Sequence, residues 1–513
     1  MNKHMQSLMS IKAPFFLPYL LLMGIMLTMV MASCDSNKSK TSQKKNVDED
    51  TLQTVNIDWE QIKERGKLKA ITSYSSTSYF IYRGQPMGYE YELLERLADH
   101  LDVELEIVIA HNLNEVFEML KKGEGDLIAH MLTITKQRKK RVDFTEPHTQ
   151  AKQVLVQRKP ENWRKMMRHK IEKQLIRNQI NLIGKTVHVR KNSSYYERLQ
   201  NLEKEIGGDI TIEAVPGTLE TELLIKQVAD GEIDYTVADK NIAMLNKTYN
   251  PILDVQTPIS FPQRLAWVVR KNSPELREKV NDWICDMKKT SDYYVIYNKY
   301  FKNKKAFASR AKSEYFSRKG NRISQYDELV KQYAETIGWD WRLLSAQIYQ
   351  ESGFKPKAHS WAGAKGLMQL MAGTAKDFGA KAPSKPQQSL KAGTNYIEFL
   401  KKRWHIIPDS AQRLKFVLAS YNVGQGHVAD ARRLAEKYGK DPNVWDDNVE
   451  EFILKKSESK YYNDEVVKFG YCRGKEPYQY VKKILKRYSQ YIKFIEMTAA
   501  IHQCEYKKVA AKR

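Results

Sequence analysis

Apolar residues between Leu68 and Ile128 change period every few positions. Leu68 to Thr72 and Leu105 to Ile109 are short apolar runs that predict strands, whereas Tyr89 to His100 sets Leu93, Leu94, Leu97 and the following Leu101 on one helical face. Leu113 to Lys121 predicts a second helix, and Asp126 to Ile128 a third strand after the turn Gly123-Glu124-Gly125. Strands and helices that alternate at this length imply right-handed crossovers and a mainly parallel sheet. The glycine pair leads into a strand rather than a helix, which excludes a phosphate loop. A similar unit opens at Gly184-Lys185-Thr186-Val187-His188-Val189 and runs past Asp234 to Asp239, so two α/β lobes are expected, the second over about 182–255. Between them Trp163, Met167, Ile171 and Leu175 recur every four residues among Lys and Arg, predicting a basic amphipathic helix. From Lys302 to Gly320 no Val, Ile or Leu occurs, and 305–322 is assigned as a linker. Beyond Ile323 the pattern is helical throughout, from Tyr326, Leu329, Val330, Tyr333 and Ile337 to Tyr480–Ile495. An all-α domain over 323–513 follows an α/β body over 59–304.

Composition adds a partner class. The 513 residues carry 85 basic and 61 acidic side chains, a net charge of +24 that favours anionic surfaces. At the N-terminus Lys3 and Lys12 precede the apolar stretch Ala13 to Ala32, which reads as a secretory signal over 1–33, with a retained anchor helix as its competitor on length. Met31-Ala32-Ser33-Cys34 resembles the bacterial lipobox, which implies that Cys34 is lipidated and that a soluble body hangs from a membrane on the polar stalk 34–58. Export removes nucleic acid from the partners and leaves a carboxylate-rich wall polymer as the counter-surface. Cys285, Cys472 and Cys504 lack any C-x-x-C or H-E-x-x-H companion, so neither metal nor cofactor is expected. A Cys472 to Cys504 disulfide and three separate thiols both fit the spacing.

Two segments carry candidate chemistry. Thr133-Ile134-Thr135-Lys136-Gln137-Arg138 places hydroxyls and a guanidinium after a strand, where ligands of α/β sheets sit and where an Arg fork takes a carboxylate. Residues 66–301 resemble the amino-acid type of extracellular solute-binding proteins, through Gly88 to Leu94, Gly125 to Ile128, Thr133 to Pro147, Gly184 to Tyr196 and Asp234 to Asp239. That resemblance implies that Arg138 and Thr133 clamp a ligand carboxylate, that Ser193 or Ser194 contributes at a helix N-terminus, and that Asp239 meets an α-amino group. An amino acid or a muropeptide is the implied ligand, held between closing lobes.

In the helical domain Asp340 is a candidate N-cap for a helix Trp341 to Ser352 that Gly353 stops. Leu344, Ile348 and Glu351 share a face, so Glu351 sits on the apolar side of the last turn, where desolvation and the helix dipole raise a carboxyl pKa toward that of a general acid. Gln350 to Phe354, Gly366 to Leu370, Ala419 to Gly424 and Glu476 to Val481 resemble, in order and spacing, the lytic transglycosylase domain of the soluble-lytic-transglycosylase type. The complete layout resembles the membrane-bound lytic murein transglycosylases: a two-lobed periplasmic-binding-protein-like α/β domain followed by an all-α lysozyme-like domain. The resemblance implies non-hydrolytic cleavage of the MurNAc to GlcNAc bond of peptidoglycan, with Glu351 as acid and then base and 1,6-anhydro ends as product. It further implies that Ser352 and Tyr480 hydrogen-bond Glu351 or the sugar, that Met368 and Gln369 line the glycan groove, and that Tyr421 and Asn422 position the N-acetyl group. It points to the periplasmic face of the outer membrane, although Asp35 after the lipid site resembles an inner-membrane retention signal. The rival readings are a ligand-binding lipoprotein that only grips glycan and a lysozyme-type hydrolase using the same Glu351.

Overall fold

A computed structural model describes residues 55–217, 220–313, 315 and 322–510. Cys34, the leader and the stalk up to residue 54 lie outside the described residues, as do the side chain of Cys504 and the end of the chain. Among the described residues Cys285 and Cys472 are free thiols.

Two sheets form the α/β body. In the first, Glu104–Ile109, Lys67–Thr72, Leu127–Thr133, Gln263–Val269 and Asp143–Phe144 lie side by side, and Thr149–Ala151 also pairs with Gln263–Val269. Lys67–Thr72 runs parallel to both of its neighbours, from Lys67 opposite Glu104 to Thr72 opposite Ile109 on one side. The second sheet orders Thr211–Val215, Thr186–Arg190, Tyr235–Asp239, Gln153–Arg158 and Leu253–Asp254, the first three parallel and the last two antiparallel additions. The parallel strands are the ones that βαβ patterning predicts. The antiparallel ones arise because the chain crosses between lobes twice, outward at 151–153 and back at 259–263. The second lobe therefore begins at Gln153, well before residue 182, and Leu155 shares its core with Val187, Val189 and Leu199.

Two further expectations are corrected. The segment around Trp163 is not one amphipathic helix but a 3-10 turn, Trp163–Lys165, and a five-residue helix, Arg168–Glu172, separated by extended Met166 and Met167. A single apolar residue per turn leaves too narrow a stripe to bury, and Met167 stays 65% exposed. The linker is ordered over its first part: Lys304–Lys312 is a helix whose Phe307 is buried against Tyr249, and Arg310 lies over the rings of Phe80 and Tyr300. Sparse aliphatic residues concealed that aromatic anchor.

In the helical domain Trp341–Ser352 packs against the long helix Lys475–Ala510, which also packs on Ser410–Val423. Leu344, Ile348, Leu418 and Ile484 are fully buried at this junction, and such side chains each contribute about 1.5–3 kcal/mol. The same core cluster continues into the α/β body. There the turn Arg83-Gly84, between strands Phe80–Tyr82 and Gln85–Met87, reaches the helical domain, and the Tyr491 hydroxyl donates to the Gly84 carbonyl at 2.7 Å. Gly84 has φ +75, and a Cβ there would lie 2.6 Å from the Phe354 ring and 3.0 Å from Tyr349. No larger residue fits that approach.

Candidate active site

The helix Trp341–Ser352 begins where Asp340 accepts the Arg342 amide at 2.8 Å and ends at Gly353 with φ 57. This local chemistry places Glu351 in the last turn, half-buried, on the side facing the long helix. Burial pushes its carboxyl up to about 7, opposed by a hydrogen bond from the Tyr480 hydroxyl. Tyr480 is itself buried, and its hydroxyl accepts Nε2 of Gln347 at 3.2 Å. Gln347 precedes Glu351 by one turn on the same face and was not singled out from sequence; an amide at i−4 from a candidate acid is the signal that marks it. The relay Gln347, Tyr480, Glu351 fixes the carboxyl with one oxygen engaged. A carboxyl that titrates near neutrality serves as proton donor and, once ionised, as acceptor.

A cleft of about 640 Å³ lies beside this relay, bounded by Tyr480, Asn422, Gln350, Tyr471, Arg473 and Lys483 among others. Asn422 is exposed at its rim. Tyr421 donates to the Met368 carbonyl at 2.8 Å and packs at a tilt against Tyr396, and burial with the nearby charge of Glu351 holds its phenol well above its usual range. One expected role is not met by the geometry, and another loses one of its two alternatives. The Met368 side chain is fully buried against Gly393 rather than lining a groove, because only its backbone turns toward Tyr421. The Ser352 hydroxyl donates to the Ile348 carbonyl at 3.2 Å, back along its own helix, rather than to Glu351. Gln369, at φ 48, spends its amide on the carbonyls of Ala358 and Gly366, tying its own loop.

A second cavity, about 60 Å³, lies between the two lobes of the α/β body, with Thr133, Arg138, Arg190, Ser193, Ser194 and Asp239 on its walls. That volume holds about a few waters or a very small solute. The lobes are bridged by Ser194 Oγ to Thr133 Oγ1 at 3.2 Å, Ser76 Oγ to Glu222 at 2.5 Å and Asn192 to Asn114 at 3.0 Å. Arg138 spends one N–H on the Thr133 carbonyl at 3.0 Å. The Ser193 hydroxyl donates to Arg190 and caps the helix Ser194–Ile206 through the Tyr196 amide, so of the two serines only Ser194 touches the other lobe. Burial pushes the Asp239 carboxyl up to about 7 against the pull of Tyr195 and Arg138, and its Oδ1 has no hydrogen-bond partner among the described residues. Arg190, paired with Glu220 at 3.2 Å, completes the walls and was not singled out from sequence.

Comparison with known proteins follows the two halves of the chain. Residues 67–303 match bacterial extracellular solute-binding proteins, family 3, and residues 328–444 match the transglycosylase SLT domain. The chain is 37% identical over 428 residues to the membrane-bound lytic murein transglycosylase F of Desulfosudis oleivorans, covering 83% of this chain and 90% of that protein. Proteins of the same name from Vibrio campbellii and Pseudomonas fluorescens are 32% and 30% identical, covering 87% and 84% of this chain and 84% and 85% of theirs. Among solved structures, holo ArgBP from T. maritima covers 47% of this chain and 98% of its own at 26% identity, with a TM-score of 0.38.

Proposed function

The chain belongs to the family of membrane-bound lytic murein transglycosylases F, peptidoglycan-cleaving lyases with an N-terminal solute-binding domain, and on that premise we propose that Glu351 is its acid–base group. Protonated Glu351 gives its proton to the glycosidic oxygen between MurNAc and GlcNAc as the bond to the anomeric carbon breaks. The resulting carboxylate, stabilised by the Tyr480 hydroxyl, takes the proton of the muramic acid C6 hydroxyl as that oxygen bonds to the anomeric carbon. No water is consumed, and a 1,6-anhydro ring closes. Glycosidases that recruit water or a nucleophile use a second carboxylate. The observation that carries the one-carboxylate route is the cleft itself: Glu351 reaches it through Tyr480, and among the described residues on its wall the one carboxylate is Glu476, exposed and 3.7 Å from Arg473. In the same reading Asn422 at the rim, with Tyr421 beside it tied to the Met368 carbonyl, positions the N-acetyl group.

Glu351→Gln is expected to lower lysis of purified sacculi by at least about a hundredfold. Retained lysis overturns the assignment. Mass spectrometry of the products separates the anhydro route from hydrolysis, whose products are heavier by one water.

In this proposal the hydrogen-bonded lobes part, and the α/β body takes an ammonium-bearing solute, an amino acid or a muropeptide, with Asp239 on the amino group and Arg138 on the carboxylate. The protein faces the periplasm on a lipid at Cys34, at the outer membrane. Among the described residues no helix is long and apolar enough to cross a membrane. Incorporation of labelled palmitate that survives Cys34→Ser contradicts the anchor.

A further inference from the structure

We propose that the cleft beside Glu351 carries a cationic wall that recognises the carboxylates of peptides attached to the glycan, and so selects peptide-bearing strands. This rests on the reading of the cleft as the glycan site. Arg473, Lys475 and Lys483 face the cleft with Glu476 as their single acidic neighbour on the wall, a local excess of two positive charges. Glu476 partners Arg473 at 3.7 Å with both side chains about two-thirds exposed, too weak a pair to cancel it. Lys475 and Lys483 have no ion-pair partner among the described residues. They stand at i and i+8 of the long helix with Gln479 between them, so one helical face presents the cations to the cleft while Glu476 and Tyr480 occupy the next. Hydroxyl and amide groups are all that the sugar rings offer. The anionic groups of murein are carried on the lactyl side chains and the peptides joined to them, so cations aligned along a glycan cleft find their complement there.

The wall is built rather than incidental. Asp430 and Lys456 are both fully buried and paired at 2.6 Å. Asp430 also accepts the backbone amides of Lys468 and Phe469 at 2.9 Å each, and the Lys456 carbonyl accepts the Cys472 amide at 3.3 Å. At Gly474 the chain passes so close to its neighbour that a Cβ would lie 1.7 Å from the Ile453 carbonyl. A buried ion pair, four backbone hydrogen-bonding groups and a close glycine approach hold Arg473 and Lys475 at the rim. Breaking such a pair leaves an uncompensated buried charge, so the arrangement is rigid.

The test uses the full chain and three substrates: intact sacculi, sacculi whose carboxylates have been amidated with carbodiimide and ammonia, and amidase-stripped glycan that keeps only lactyl carboxylates. The parent enzyme is expected to show about five- to tenfold higher kcat/KM on intact sacculi than on either other substrate, through KM and at low salt. The triple variant R473Q/K475Q/K483Q is expected to treat all three within about twofold, and K475R/K483R to keep the parent preference. A triple variant that keeps the full preference, or a parent enzyme that shows none, overturns the proposal. Stripped glycan that matches intact sacculi assigns the wall to the lactyl carboxylate and defeats the peptide reading. Sedimentation of E351Q with each substrate, with and without the triple substitution, reads binding independently of lysis, so a failure of the Glu351 assignment is distinguishable from a failure of this one.

Discussion

Glu351 in the helical domain and Asp239 in the α/β body are both raised by burial to about 7, yet their surroundings differ in the one respect that decides use. Glu351 is held by a neutral phenol, Tyr480, which with Gln350 lines a cleft of about 640 Å³. Asp239 adjoins a cavity of about 60 Å³ closed by hydrogen bonds between lobes, with one carboxylate oxygen unpartnered and Arg138 nearby. A third carboxyl, Glu90, is pushed still higher, to about 8, but it is sealed in the core against the Trp267 indole at 2.6 Å. Perturbed acidity marks burial in all three cases. A link to an open cleft through Tyr480 separates the proposed catalyst, and an unfilled acceptor in a closed cavity separates the proposed ligand site.

The largest effect that tests this contrast is on turnover. Asp239→Asn is expected to leave lysis of sacculi without added solute within about twofold of the parent while Glu351→Gln loses at least about a hundredfold; comparable losses in both erase the distinction. Next comes stability against pH. Each folded-state pKa is above its unfolded value, so the folded chain binds more protons between roughly pH 4 and 7, and stability contributed by the neutral form falls as pH rises through that window. Replacing either acid by its amide is expected to relieve up to about 2–3 kcal/mol at pH 8 and little at pH 4, read by urea unfolding. For Asp239 the relief is expected to shrink when a cationic solute is present, and for Glu351 it is not. The smallest effect is on the pH profile. Tyr480 favours the ionised form of Glu351, so Tyr480→Phe is expected to move the alkaline limb of kcat upward by about one pH unit or less. A downward shift reverses the role given to the phenol.

What was legible in the sequence was local. Asp340 and Gly353 mark the ends of the helix bearing Glu351 because a cap and a left-handed stop are short-range chemistry, and the structure ends the helix there. Parallel strands were legible through their crossovers, whereas Gln153–Arg158 joins its sheet as an antiparallel return that no neighbouring residue announces. The split of the Trp163 segment and the helix hidden in Lys304–Lys312 follow from tertiary burial, of too little apolar surface in one and of Phe307 in the other. Side-chain direction was the least legible. Met368 and Ser352 lie in motif segments but turn inward, and Gln347 enters the site through Tyr480, 133 residues away. The match to the SLT domain ends at residue 444; Tyr480 beyond it was legible from the Glu476 to Val481 motif, whereas Arg473, Lys475 and Lys483 line the cleft through tertiary packing.

The Gly84 turn bears on how the protein can be divided. Tyr349 and Phe354, on either side of the acid, and Tyr491 on the final helix cover themselves with a hairpin tip from the other half of the chain. A scissor placed between the two halves strips that cover and leaves three rings facing water, two of them within three residues of Glu351. Each excised fragment would carry a sticky scar at its most sensitive spot, so the halves are better understood as one particle than as beads on a string.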